Sequence, residues 1–155
     1  MHVVAAKAVC FQECMTGEFK VYAKNMVNNA SVLGDALKER GFRLVSGGTD
    51  NHLLLVNVSN KGLTGKAMEE LLEHVGITAN KNTVPFDQES PFVTSGVRLG
   101  TPALTTRGMG ADEMKIIAGI MDRAVQNREN QDALDGLRQE SEELCKAFPL
   151  YPGME

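Results

Sequence analysis

Apolar residues recur at spacings of three and four between Glu18 and Arg40, where Phe19, Tyr22, Met26, Ala30, Leu33 and Leu37 form one stripe. That period predicts a helix with a single core-facing side. Gly41 is placed to end it, because glycine accepts the left-handed dihedrals that follow a helix. Upstream, Met1 to Phe11 is apolar nearly all round, with Val3, Val4, Ala5, Ala6, Ala8, Val9 and Cys10 and no capping residue before it. A helix of this kind suits cover on several sides, some of which is then missing here; the plainer reading is an N-terminal helix made sticky by alanine.

Beyond Gly41 the pattern shortens. Phe42 to Ser46 reads as a strand, Gly47 to Asn51 as a turn and Leu53 to Val58 as a buried strand, the two strands pairing antiparallel. Thr64 is placed to cap a helix running to His74, with Met68, Leu71, Leu72 and Val75 inward and Gly76 closing it. Ile77 to Asn80 reads as a short strand, and Val97 to Gly100 as another. Between them, Lys81 to Thr94 is polar, aperiodic and interrupted by Pro85 and Pro91, so it is a long loop, and long loops in compact domains are commonly functional. Two helices close the chain, Asp112 to Arg128 with Met114, Ile117, Met121 and Val125 inward, and Asp132 to about Ala147.

The elements are segregated rather than strictly alternating, which predicts an α+β fold: a small, mostly antiparallel sheet covered by helices on one face. Residues 1–40 form a helical segment and residues 41–155 the small domain. At 155 residues, 43% hydrophobic, the chain can build one core without disulfides or metals.

Charge and composition narrow the chemistry. A formal net charge of −4 argues against a nucleic-acid footprint, which needs clustered Lys and Arg in excess of acid. With two Tyr, six Phe and no Trp, aromatic cages and base-stacking platforms lack material. Cys10, Cys14 and Cys145 form no C-x-x-C pair, so no zinc site is suggested; Cys10 and Cys14 read as small buried hydrophobes in a reducing, cytoplasmic protein. No apolar run nears the eighteen or so residues a membrane span needs, and no signal-peptide pattern opens the chain.

Arg98 is the most suggestive side chain, set in a strand between Val97 and Leu99 with little other charge nearby. Its guanidinium offers a rigid fork that matches a carboxylate in two parallel bonds, so it could grip an amino acid. The commoner fate of such a residue is an edge-strand arginine paired with a surface Glu or Asp. Arg107, after Thr105 and Thr106, is a weaker version of the same case. Asn80, Lys81, Asn82 and Thr83 gather amide, ammonium and hydroxyl groups at the mouth of the long loop, where they could face a polar heterocycle or merely form a turn. His52 reads as a turn residue, and His2 and His74 share no metal-like spacing. Gly47-Gly48 lacks the Lys-Ser/Thr of a phosphate-binding loop.

Three long segments nevertheless carry a resemblance in order and spacing. Gly41 to Leu53 (GFRLVSGGTDNHL), Gly76 to Pro85 (GITANKNTVP) and Ser90 to Ala103 (SPFVTSGVRLGTPA) closely resemble hallmarks of the small domain of serine hydroxymethyltransferases. His2 to Val9 resembles the family's helix leading out of its large domain. The resemblance implies a C-terminal domain of a fold-type I pyridoxal-phosphate enzyme, preceded by a long interdomain helix. It implies that the full enzyme interconverts serine plus tetrahydrofolate and glycine plus 5,10-methylenetetrahydrofolate as a homodimer or higher assembly. By the same resemblance Arg98 binds the carboxylate of serine or glycine, Asn82 contacts the pterin of the folate, and Ser90 and Phe92 line the folate entrance.

The departure matters too. The family's Schiff-base lysine lies in a Thr-Thr-x-His-Lys-like segment, and none of these residues reproduces it. No catalytic residue and no metal ligand is therefore expected here. The cofactor-binding large domain is expected as a missing partner, without which the chain should fold but not catalyse. The competing expectations are a stand-alone amino-acid-binding or regulatory module, and a structural domain that self-associates through its apolar first helix.

Overall fold

The structure, a computed structural model, describes residues 1–150. Two helices open the chain, α1 (His2–Cys14) and α2 (Gly17–Glu39). The break between them is made by Thr16, whose hydroxyl donates back to the Glu13 carbonyl (2.7 Å) and accepts the amide of Phe19 (3.2 Å), so it caps α2. No residue of α1 is buried, and Val4, Phe11 and Met15 stand in solvent. The expected cover is thus not supplied by the described residues. Cys10 and Cys14, read from sequence as buried, are exposed on this same helix because the described residues bury no part of it.

The sheet follows: β1 (Arg43–Leu44), β2 (Leu53–Asn57), β3 (Asn80–Asn82) and β4 (Gly96–Gly100). Its order is β1-β2-β4-β3 with every pairing antiparallel. The helices α3 (Gly65–His74), α4 (Pro102–Thr106), α5 (Ala111–Gln126) and α6 (Gln131–Ala147) complete the fold. The α+β reading and the antiparallel pairing of β1 with β2 hold as expected from sequence.

Two boundaries moved, each for a local reason. The first strand stops at Leu44 because Val45–Gly47 turns into a 3-10 helix with Ser46 at φ 62°. The strand expected at Ile77 to Asn80 starts only at Asn80, because Ile77 is still closing α3. Its amide donates to the Leu72 carbonyl (2.8 Å) while the Gly76 amide donates to Glu73 (3.0 Å), a Schellman ending with Gly76 at φ 79°. Gly41 ends α2 in the same way, with Phe42 donating to Leu37 and both side chains buried. The short α4 went unseen in the sequence, since five residues are too few to show a helical period.

Leu54, Val56, Val97 and Leu99 point to one face of the sheet and are buried against Leu37, Met68, Leu72, Met114, Ile120 and Met121 from the helices. The alternate strand positions look the other way. The lower half of α2 is fastened by polar contacts rather than apolar ones. Asn29, 2% exposed, donates to Thr105 Oγ1 and to the Met109 carbonyl, each at 3.0 Å, and Thr101 donates to the Met26 carbonyl at 2.7 Å. Among the described residues no helix is long and apolar enough to cross a membrane.

Candidate functional site

Because strands alternate their side chains, the sheet has a second face that the helices leave open. Antiparallel register places Arg98 directly between Leu55 of β2 and Asn80 of β3 on that face. Asn82, opposite Gly96, is the diagonal neighbour of Arg98, a relation that spans about 7–8 Å between backbones. Arg43 and Asn57 face each other further along. The strand positions on this face are therefore Arg43, Leu53, Leu55, Asn57, Asn80, Asn82, Gly96, Arg98 and Gly100: two cations and no carboxylate.

Arg98 is exposed and makes no ion pair within the described residues. It also lies on an interior strand, between β2 and β3. The reading of an edge-strand arginine neutralised by a neighbouring acid is thereby corrected on both counts. The charge stands without an ion pair on a face whose strand positions carry no carboxylate.

The polar cluster at the loop mouth does not act as one unit. Asn80 and Asn82 share the open face with Arg98, but Lys81 falls between them and points to the helices. There its amide and ammonium both donate to Glu69 of α3, at 2.9 and 3.1 Å. Those bonds, the amide first, hold the Glu69 carboxyl below its ordinary range. Asn82 donates its amide to the Thr83 carbonyl at 2.7 Å, leaving its side-chain oxygen for another partner.

The long loop joins β3 to β4 and is braced rather than slack. Asp87 accepts the amides of Val84 (3.1 Å), Glu89 (3.0 Å) and Ser95 (3.0 Å) and the hydroxyl of Ser95. The Ser95 hydroxyl above all holds the Asp87 carboxyl far below the usual carboxylate range. The loop's far end rests on the start of α3, where the amides of Gly65 and Lys66 donate to Thr94 and Val93 at 2.9 Å. Ser90 turns the chain by accepting the amides of Val93 and Thr94 through its carbonyl. Phe92 and Phe86 project from this frame 84% and 95% exposed. Asp87 and Glu69 were the residues sequence reasoning missed. An Asp between Phe86 and a Gln-Glu-Ser run was the available signal for the first, since Asp favours bonds to its own backbone neighbours.

Other candidates have structural roles. Arg107 donates through Nη1 to the carbonyls of Phe148 (2.8 Å) and Cys145 (3.3 Å), stapling α4 to the end of α6. His52 is exposed and its carbonyl accepts the Thr101 amide, while His74 meets Asp135 at 3.1 Å across α3 and α6. Among the described residues no group of three or more His, Cys, Asp or Glu comes together as a metal site.

The fold and this face define a small α+β domain that presents a guanidinium without an ion pair on the open face of its sheet, with a braced polar loop joining β3 to β4. Residues 1–121 match the family model for serine hydroxymethyltransferase, and the chain belongs to that family. The family's enzymes depend on pyridoxal phosphate and take a folate co-substrate. The lysines of this chain do not fit the cofactor's demand for a desolvated, uncommitted amine. Lys61 is bonded to Asp122, Lys81 to Glu69, and Lys38, Lys66 and Lys115 to neighbouring acids, while Lys7, Lys20, Lys24 and Lys146 stand exposed on helices.

Proposed function

We propose that this chain supplies the amino-acid carboxylate clamp and part of the folate-facing wall of a serine hydroxymethyltransferase, the transferase that moves a hydroxymethyl carbon between serine and tetrahydrofolate. The observation that carries the reading is Arg98: an exposed guanidinium on an interior strand, on a face with no carboxylate among its strand positions. A bidentate pair there would orient serine or glycine by its α-carboxylate and leave the other end of the substrate free to react. Leu55 and Asn80 flank Arg98 across the two ladders. The free side-chain oxygen of Asn82 suits the amino and ring N–H groups of a pterin, and Phe92, with Ser90 at the turn beside it, suits a flat ring at the entrance.

The cofactor's lysine and phosphate contacts come, on this reading, from a large domain outside these residues, and a second subunit completes the site. The reaction is therefore a property of the assembled enzyme.

The test is reconstitution. The chain, mixed with pyridoxal phosphate and glycine, should give no glycine-dependent absorbance band beyond the one those two small molecules form in buffer; supplied in trans with a family large domain, it should restore one. Arg98→Ala should remove that restoration. A band from the chain by itself beyond that of the small molecules in buffer, or restoration that survives Arg98→Ala, would sink the proposal. Glycine binding to the chain alone tighter than about 1 mM, roughly −4 kcal/mol, would instead favour a stand-alone binding module.

A further inference from the structure

Beneath the end of β4, on the helix side of the sheet, lies a cavity of about 260 Å³. Leu33, Leu99, Leu104, Ile120 and Leu144 bring one apolar side chain each from α2, β4, α4, α5 and α6 to its wall. Protein interiors seldom leave voids larger than a water molecule. An apolar cavity of about 150 Å³ stays dry and takes up benzene, so by simple scaling this one has room for ~10 heavy atoms.

Three polar side chains interrupt the apolar lining: the exposed Thr78 at the rim, the buried Ser141 and the half-buried Arg107. Ser141 is 7% exposed, and its hydroxyl is the one buried side-chain polar atom among the described residues that lacks a hydrogen-bond partner. Native proteins rarely leave such an atom unpaired without a reason. Arg107 also lines the cavity; its Nη1 is spent on the end of α6, but its Nε and Nη2 make no hydrogen bond among the described residues. Thr78, Gly100 and Ala103 on the rim are exposed, so the space has a mouth.

We propose that this cavity is a binding site for a small organic acid with an apolar body, an aryl or branched-alkyl carboxylate. The body fills the leucine and isoleucine walls, and the carboxylate takes the free guanidinium donors of Arg107 and the proton of the Ser141 hydroxyl. A single water would satisfy Ser141 but would leave most of the volume empty and the Arg107 donors unmatched. The acid therefore accounts for the volume, Ser141 and Arg107 together.

The experiment is calorimetric titration of the whole chain with phenylacetate and, separately, with 2-phenylethanol, which keeps the body and loses the charge. Phenylacetate should bind saturably and at least about tenfold more tightly than the alcohol, the scale of a charge-assisted hydrogen bond. Ser141→Ala should weaken it by about tenfold. Ser141→Leu, which fills the void, should abolish it while the melting temperature holds or rises, separating lost binding from lost fold. Arg98→Ala should change nothing, because the open face is a different site. No saturable binding up to about 10 mM would overturn the proposal. So would equal binding of the alcohol, or loss of phenylacetate binding in Arg98→Ala.

Discussion

Ser95 holds Asp87 with both of its donors, the hydroxyl on one carboxylate oxygen and the backbone amide on the other at 3.0 Å, so two residues eight apart clamp the neck of the long loop. Every feature proposed to face the folate, from Asn82 to Phe92, hangs between or beside these two. Beside the docking of Val93 and Thr94 on α3, the loop's neck is held by one carboxylate, and it should therefore answer to the charge on that carboxylate.

The pH dependence follows from the direction of the shift. The folded-state pKa of Asp87 is depressed by the Ser95 hydroxyl first; desolvation, the next largest effect, opposes it, and the amides of Glu89, Val84 and Ser95 add to the lowering. The stabilisation is fully present above the unfolded carboxylate value of about 4 and is lost as pH falls from there through the folded value. Protection of the 83–95 amides, taken relative to their intrinsic exchange rate at each pH, should hold from neutral pH down to about 4 and fall below it. Asp87→Asn should expose the loop to protease at neutral pH with little change in α5 or α6. Protection that is lost near neutral pH instead would mean another group holds the loop.

The docking of that loop on α3 leaves no room at Gly65. A β-carbon there would stand 2.0 Å from Thr94 Oγ1 and 2.4 Å from the Gly96 carbonyl, and the second is backbone of β4. Gly65→Ala should cost about 1–3 kcal/mol, the range for overpacking a filled site, and lower the melting temperature by several degrees. Gly136 is the control, in mid-helix with nothing within 4 Å of its would-be β-carbon. Gly136→Ala should stabilise by about 0.5–1 kcal/mol. Equal effects of the two substitutions in thermal melts would contradict the packing at Gly65.

Much of this was legible along the chain, and the parts that were not share a cause. The stripe through Leu33 and Leu37, the Gly41 and Gly76 endings and the Thr64 cap are local, and local chemistry is written in adjacent residues. Arg98 could be singled out, but its freedom depends on what β2 and β3 bring beside it, which no window of sequence contains. Lys81 looked like a partner of Asn80 and Asn82 because it stands between them; strand alternation sent it to Glu69 on the other face. The exposure of Cys10 and Cys14 was unreadable for the opposite reason, since an apolar helix advertises burial whether or not its cover is present.

Asn29 should prove the costliest polar residue to truncate. Its amide nitrogen bridges Thr105 and the Met109 carbonyl in a site only 2% exposed, and it ties α2 to the turn that leads into α5. Asn29→Ala would leave a buried carbonyl unpaired, at a cost of about 1–3 kcal/mol. Chemical denaturation should show the midpoint falling with an unchanged slope. A change below about 0.5 kcal/mol would indicate that water replaces the amide at no cost.

Exposed apolar surface on α1 argues for self-association. Val4, Phe11 and Met15 are 64%, 65% and 74% exposed on or just after one helix that buries nothing, and contiguous apolar surface of that kind seeks a partner. Light scattering should show a dimer or larger species whose population falls with dilution. Val4→Glu with Phe11→Glu should shift it to monomer without lowering the melting temperature, because neither side chain supports the core. A concentrated wild-type chain that stays monomeric would refute the prediction.

Arg98 offers the sharpest separation of stability from function. It is exposed and unpaired within the described residues, so Arg98→Ala should alter unfolding free energy by no more than about 0.5 kcal/mol. If it clamps a carboxylate, the same change should weaken serine or glycine binding in the reconstituted enzyme by ~2–5 kcal/mol, the usual loss on truncating one partner of a hydrogen-bonded charge pair. Arg98→Lys discriminates further. Lysine keeps the charge and loses the fork, so it should recover only a small part of the binding if two parallel hydrogen bonds orient the substrate, and most of it if the site merely attracts an anion. Isothermal titration of the three proteins, read beside their melting curves, decides between these. A large drop in stability for Arg98→Ala would show that the guanidinium holds the sheet rather than the substrate.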